Sequence, residues 1–272
     1  MLPAGRVFYK MSGSGNDFIM VNAMEEPPGT LAEAARVQAL CARGTGVGAD
    51  GIVFLEPSEA ADFRMVYLNS DGSRADLCGN ASLCSSRLAT ELGIVANSEF
   101  RIQTDAGILG ARLRDGTPEV DLQPVSEVRS NLPFRLAEGE RWIGFALAGV
   151  PHLSVLCADV DTVDVVGRGR PLRFEPSLAK GANVNFLSAT EPGSWRMRTY
   201  ERGVEGETLA CGTGAVASAI LLVESGATRS PVRIQTRSGR TLTVRLVKDD
   251  SGWQPSLSGE ARIVFQGQLG EE

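Results

Sequence analysis

The segment Ala210–Gly226, ACGTGAVASAILLVESG, decides how the rest of the chain is read. The run AVASAILLV within it is almost wholly apolar. A helix that is apolar on every side is buried rather than amphipathic. A helix is therefore expected from Gly212 to about Glu224, ended by Gly226. Cys211 falls at the N-terminus of that buried central helix.

Working outward, the same features recur half a chain earlier. LCGNASLCSSRLATELG (77–93) places Cys78-Gly79 ahead of a second expected helix, Gly79 to about Leu92, with Ala81, Cys84, Leu88 and Leu92 on one face and Gly93 as its stop. That helix is more polar than its counterpart. Arg64-Met65-Val66 matches Arg196-Met197-Arg198. Arg101-Ile102-Gln103-Thr104 returns as Arg233-Ile234-Gln235-Thr236, and each copy is followed by a glycine, Gly107 and Gly239. The offset is 132 or 133 residues throughout. Several matches in register indicate two homologous halves. Each half reads strand, turn, Cys-Gly, helix, turn, strand, hairpin. A pseudo-two-fold arrangement with both cysteines on one cleft is the expected consequence.

The remaining elements are placed around this repeat. Residues 6–22 alternate as a strand broken by a turn at Ser12–Gly15. Residues 31–42 read as a helix opened by a Thr30/Glu33 capping box. Strands are expected at Ile52–Leu55, Phe63–Leu68, 98–113 and 118–122, with a turn at Asp115-Gly116. The Pro-containing stretch 124–140 reads as a linker. Further strands are expected near 143–147, 153–157, 184–188 and 195–200, then a hairpin over 231–248 and a final strand over Ala261–Gln268. The domains are accordingly drawn as 1–123 with 261–272 returning to it, and 124–260.

Composition bounds the function. The chain has 272 residues, 43% hydrophobic and 22% charged, which suits a globular protein of two domains. A net charge of −6 gives no basic face for nucleic acid or an anionic membrane. No signal-peptide core or 18-residue apolar run is present, and five cysteines are few and odd in number. The expectation is a cytoplasmic protein with reduced thiols.

Two cysteines at helix N-termini carry chemistry. The helix dipole and unpaired amides favour a thiolate, and the same amides bind anions. Two such termini aimed at one cleft would hold a carboxylate with a sulfur on each side. One thiolate would remove the α proton, the opposite thiol would return one to the other face, and the amides would spread the developing charge. Cys41, Cys84 and Cys157 lie in apolar segments and read as buried structural residues.

At these residues the chain resembles the diaminopimelate epimerase family. The matching segments are Gly15-Asn16-Asp17-Phe18, GVGAD (46–50), NSDGS (69–73), Cys78-Gly79-Asn80, Pro151-His152, Asn183-Val184-Asn185-Phe186 and ERGVEGETLACGTG (201–214). The resemblance covers nearly the whole chain, and its last segment is highly specific. It implies an α/β (α+β) fold of two pseudo-symmetric domains, each a β-sheet or barrel wrapped around a central helix. It also implies cofactor-independent interconversion of LL- and meso-diaminopimelate for lysine and peptidoglycan synthesis. By position, Cys78 and Cys211 match the acid/base cysteines. Gly79, Asn80, Gly212 and Thr213 match the positions holding the reacting carboxylate. Asn16, Asn69, Asn183, Glu201 and Arg202 match substrate-binding positions, and His152 and Glu201 match groups that tune the cysteines. A guanidinium can hold a distal carboxylate bidentately. The chain departs from the family pattern at Gly51, where glutamine is common, and at Val150, where asparagine is common; each departure removes a hydrogen-bonding group. The family's CGNGARC reads CGNASLC here, and its DGSE reads DGSR.

Two other readings remain at this point. One is a related two-cysteine racemase for another amino acid, such as histidine. The other is a metal- or redox-binding thiol protein, which one histidine and the lack of a C-x-x-C pair disfavour. The glycines of GTGVGADG follow a helix rather than a strand, so the dinucleotide fingerprint fails. None of Lys10, Lys180 and Lys248 lies in a catalytic-looking segment for pyridoxal chemistry. No cofactor and no metal are expected, and the expected partner is a small amino-acid substrate. The sequence does not set the oligomeric state; a homodimer is kept as one reading.

Overall fold

The alternation over residues 6–22 folds in the computed structural model as a hairpin, β1 (Val7–Gly13) and β2 (Asn16–Asn22), joined at Ser14-Gly15. The structure describes residues 5–270. The outermost parts of the drawn domains, 1–4 and 271–272, lie outside them. The chain divides into two compact units, Met1–Val120 with Gly259–Glu272, and Asp121–Ser258.

In the first unit, α1 (Ala34–Cys41) follows the hairpin. Then come β3 (Gly51–Glu56), parallel to β2, and β4 (Phe63–Asn69), antiparallel to β3. The short β5 (Arg74–Ala75) leads into α2 (Gly79–Glu91). After it, β6 (Glu99–Thr104) lies parallel to β4, and β7 (Gly107–Arg114) and β8 (Thr117–Asp121) continue antiparallel. The strand expected over 98–113 is thus two strands, because the chain reverses at Asp105-Ala106. The turn at Asp115-Gly116 has φ of 51° and 76°, the primed geometry that matches strand twist.

The second unit repeats this order. The two-residue β9 (Val128–Arg129) pairs with β10 (Glu140–Ala148), which forms a hairpin with β11 (Val150–Cys157). Then α3 (Val165–Arg173) precedes β12 (Asn183–Glu191), parallel to β11, and β13 (Ser194–Glu201), antiparallel to β12. The short β14 (Gly206–Thr208) leads into α4 (Gly212–Glu224). Finally β15 (Val232–Gln235) lies parallel to β13, with β16 (Thr241–Asp249) and β17 (Gly252–Ser258) antiparallel after it. The last strand, β18 (Ala261–Gln268), belongs to the first unit and pairs with β1. The repeat extends to register: Phe63 and Arg64 face Ile102 and Gln103, as Trp195 and Arg196 face Ile234 and Gln235. The architecture is mixed α/β, strand-rich, with four α-helices among the described residues.

In each unit strands surround one helix. β1, β2, β3, β4, β7 and β18 touch α2, and β10, β11, β12, β15, β16 and β17 touch α4. The strands that also carry an outer helix are apolar on both faces, which accounts for runs such as Ile52–Leu55. Ile19, Val21, Ile52, Phe54, Val66 and Leu68 pack with Val37 and Leu40 of α1. Polar α2 is as buried as apolar α4. Its hydroxyls bond back along the helix: Ser82 to the Cys78 carbonyl (3.0 Å), Ser86 to Ser82 (2.8 Å) and Thr90 to Ser86 (3.0 Å). Serine satisfied in this way behaves as a small core residue.

Three further points depart from the sequence reading. The Thr30/Glu33 capping box does not form; Gly29–Ala32 makes a 3-10 turn and Glu33 is itself the N-cap of α1, without a side-chain bond. The stretch 124–140 is packed rather than a free linker: it contains β9, and Leu132 and Phe134 join the core of Phe145, Leu153, Val155 and Tyr200. Helix α3 was not expected, since VVGRGRPLR holds two glycines and a proline; burial of Val165 and Leu172 outweighs that low propensity.

Ile220 of α4 is fully buried, whereas Val166 of α3 is 50% exposed. Ile220→Ala should lower the unfolding free energy by about 2–5 kcal/mol, and Val166→Ala by less than about 0.5 kcal/mol. Urea denaturation of the two variants checks this; equal losses would contradict a central position for α4.

Candidate active site

Cys78 and Cys211 are the N-cap residues of α2 and α4, and their backbones are nearly the same: φ −134°, ψ 115° and φ −142°, ψ 107°. Each carbonyl accepts the first helical bond, from Ser82 N (2.9 Å) and from Ala215 N (3.0 Å). No side chain caps either helix. The first-turn amides beginning at Gly79 and at Gly212 therefore keep the anion-binding character of a helix N-terminus. The other three thiols differ. Burial pushes Cys41 up to about 11 and Cys157 up to about 12, and raises Cys84, which is wholly enclosed. All five cysteines are unbridged.

In the first unit a polar run leads away from α2. Asn80, 2% exposed, donates to Asn16 Oδ1 (2.7 Å), and Asn16 donates to Asp50 Oδ2 (2.9 Å). A carboxylate only accepts, so Asp50 sets both amides. Their order leaves Asn80 Oδ1 buried without a hydrogen-bond partner in the protein. Arg43 holds Asp50 (2.8 Å) and Asp17 (2.6 Å), and Lys10 reaches Asp17 (2.5 Å) and the Gly48 carbonyl. Burial alone would raise the Asp17 carboxyl, but Arg43 and Lys10 hold it below the usual range. Asn69 ends β4 and bonds Ser73 Oγ (3.0 Å), closing the turn after that strand. Gly51 lies beside it in register. A Cβ there would stand 2.4 Å from the Leu68 carbonyl oxygen and 2.5 Å from the Tyr67 ring. The Tyr67 ring thus occupies the space a side chain at 51 would need.

In the second unit His152 on β11 is fully enclosed. Its Nε2 is 3.0 Å from Thr213 Oγ1 and its Nδ1 is 3.2 Å from Asn185 Nδ2. Thr213 Oγ1 is in turn 3.6 Å from Cys211 Sγ. Burial, together with the positive charge of Arg202, pushes the imidazole down to about 3, so it is neutral at pH 7. Asn183, paired with His152 in register, accepts from the Arg202 backbone N–H (2.8 Å). The Arg202 guanidinium reaches the Lys180 carbonyl at 3.2 Å, and Glu201 ends β13. Val150 begins β11. Among the described residues no group of three or more His, Cys, Asp or Glu is placed to hold a metal ion.

Each unit thus holds a Cys-Gly helix start with polar groups packed beside it. The model of the family described as diaminopimelate epimerase matches residues 8–128 and 145–264. The chain belongs to the diaminopimelate epimerase family. It is 47% identical over 276 residues to a diaminopimelate epimerase of Gemmatimonas aurantiaca, covering 96% of this chain and 98% of the relative. A diaminopimelate epimerase of Aquifex aeolicus is 40% identical, with 97% and 98% covered. Among solved structures, a Bacillus anthracis phenazine biosynthesis protein of the PhzF family superposes with TM-score 0.75 at 16% identity, over 97% of this chain and 98% of that one, and so shares the fold. As a member of the diaminopimelate epimerase family the chain is an isomerase.

The sequence reading missed Asn185, Thr199, Asp50, Arg43 and Lys10. Asn185 had a signal: asparagine is disfavoured in a strand, yet NVNF places two of them on one face of an apolar strand.

His152 is the single histidine. Its folded value of about 3 lies below the ordinary 6.5, so the unfolded chain takes up a proton that the folded one refuses. Stability is unaffected by this group above about pH 6.5 and falls as pH drops toward about 3. Between about pH 7 and 5 the loss should be about 2 kcal/mol, read by urea denaturation. His152→Gln should flatten that slope; an unchanged slope would assign it elsewhere.

Proposed function

We propose that the chain interconverts LL- and meso-diaminopimelate by moving the proton on one α carbon between Cys78 and Cys211. The observation that carries this reading is the repetition of one device: two Cys-Gly helix starts with matching backbone geometry, in units with the same strand order. The near full-length similarity to diaminopimelate epimerases of two organisms supports the substrate.

In the proposed reaction one cysteine, as thiolate, takes the α proton. The electron pair left on carbon delocalises into the adjacent carboxylate. The other cysteine, as thiol, delivers a proton to the opposite face, and the two sulfurs end with their protonation states exchanged. The first-turn amides of Gly79-Asn80 and Gly212-Thr213 stabilise the charge that develops on the carboxylate. Asn80 Oδ1, buried and unpartnered, suits the substrate ammonium. Asn16, Asn69 and Asn183 orient the ligand, and Arg202 with Glu201 binds the distal amino-acid end, Arg202 through its carboxylate. His152 and Glu201 tune the sulfurs. No cofactor takes part. The two units are taken as the domains that each supply one cysteine. We place the enzyme in the cytoplasm, in lysine and peptidoglycan synthesis, acting on a free amino acid, and as a homodimer. Among the described residues no helix is long and apolar enough to cross a membrane.

Reduced protein incubated with LL-diaminopimelate in heavy water should place deuterium at one α carbon and yield the meso isomer without added cofactor. Absence of exchange would remove the substrate assignment. Cys78→Ala and Cys211→Ala should each abolish turnover, and full activity in either would remove the two-base scheme.

A further inference from the structure

We infer that Asn185 is a positioning residue that fixes the tautomer of His152, so that a one-way run of hydrogen bonds ends at the Cys211 sulfur. The inference rests on the reading of Cys211 as a proton-transfer group, but its structural half stands on hydrogen-bond chemistry alone.

The direction of the run follows from one carbonyl. Asn185 Nδ2 lies 3.1 Å from the Leu153 backbone oxygen, which can only accept. The nitrogen of the amide is therefore on that side, and its oxygen faces Thr199, whose hydroxyl donates to it at 3.0 Å. The second hydrogen on Nδ2 points to His152 Nδ1 at 3.2 Å. An amide N–H facing a ring nitrogen requires that nitrogen to be the acceptor. The neutral imidazole then carries its proton on Nε2 and donates to Thr213 Oγ1 at 3.0 Å. With its oxygen accepting from the ring, the Thr213 hydroxyl turns its own hydrogen outward. Cys211 Sγ, 3.6 Å from that oxygen, is within reach to accept it. The run thus reads Asn185 to His152 to Thr213 to Cys211, each group donating to the next.

The packing holds this order in place. Asn185 and His152 are fully buried, and Thr199 nearly so. His152 and Ser154 alternate on β11 and reach Thr213 and Ser218 of α4, so the strand and the helix are joined at two points. Gly214 is what lets Asn185 come so close: a Cβ there would meet Asn185 Oδ1 at 2.4 Å and Cys211 Sγ at 3.2 Å. With the opposite tautomer, Thr213 would donate to the ring and present a lone pair to sulfur, which favours the thiol. The fixed tautomer therefore favours the thiolate of Cys211.

Because the chain has one histidine, nitrogen-15 labelling of histidine gives a single ring to read. The ligand-free protein at neutral pH should show a neutral imidazole protonated at Nε2; protonation at Nδ1 would overturn the inference without any substrate being needed. Asn185→Asp puts an acceptor against Nδ1 and should move the proton there, lowering kcat roughly tenfold with KM little changed. A folded Asn185→Asp protein that keeps the Nε2 proton would overturn it too, and if that variant does not fold the wild-type spectrum decides. Thr213→Val, which lacks the hydroxyl, should turn over roughly tenfold more slowly than Thr213→Ser, which keeps it; equal rates in the two would remove the last link. A wild-type protein with the Nε2 proton but no exchange on LL-diaminopimelate would instead fail the substrate assignment and leave the tautomer standing.

Discussion

A helix enclosed by sheet has nowhere in its own structure to satisfy the amides of its first turn. That constraint organises both units. Strands surround α2 and α4, so the first-turn N–H groups of each helix depend on whatever lies at its N-terminal end. The chain puts a cysteine at the cap and a glycine after it. Neither cap residue consumes the amides with its own side chain. An anion is therefore favoured at either helix start.

The two units meet this constraint with different chemistry around the same backbone. In the first, a carboxylate anchors two amides in series: Asp50 orders Asn16, and Asn16 orders Asn80. In the second, a backbone carbonyl anchors an amide that orders a histidine. In both cases a group that can only accept fixes the polarity of groups that could point either way. The helices themselves differ in the same manner. α4 buries itself with aliphatic side chains, whereas α2 does so with serines bonded to their own helix. The repeat thus keeps the geometry of the two caps while the sequence around them differs.

Much of this was legible in the chain. The offset of 132 or 133 residues located both caps, both central helices and the strands that flank them, whereas their parallel pairing came from the fold. The apolar run AVASAILLV gave the burial of α4 because an all-round apolar helix has no solvated face. The motifs around Cys78 and Cys211 led to the family that the comparisons show. What escaped notice was either short or locally disfavoured. α3 carries two glycines and a proline, β5, β9 and β14 are two or three residues long, and the stretch 124–140 looked open because its apolar residues are sparse.

Local pattern by itself determined the repeat, the cap positions and the candidate cysteines, since these depend on periodicity and spacing within a few turns. The tertiary structure decided the rest, because hydrogen-bond direction depends on partners far apart in the chain. Asn185 meets His152 across 33 residues, and His152 meets Thr213 across 61. Tyr67 occupies the space beside Gly51 only because β3 and β4 pair in that register. A sequence can name a histidine; only the fold can say which nitrogen holds the proton.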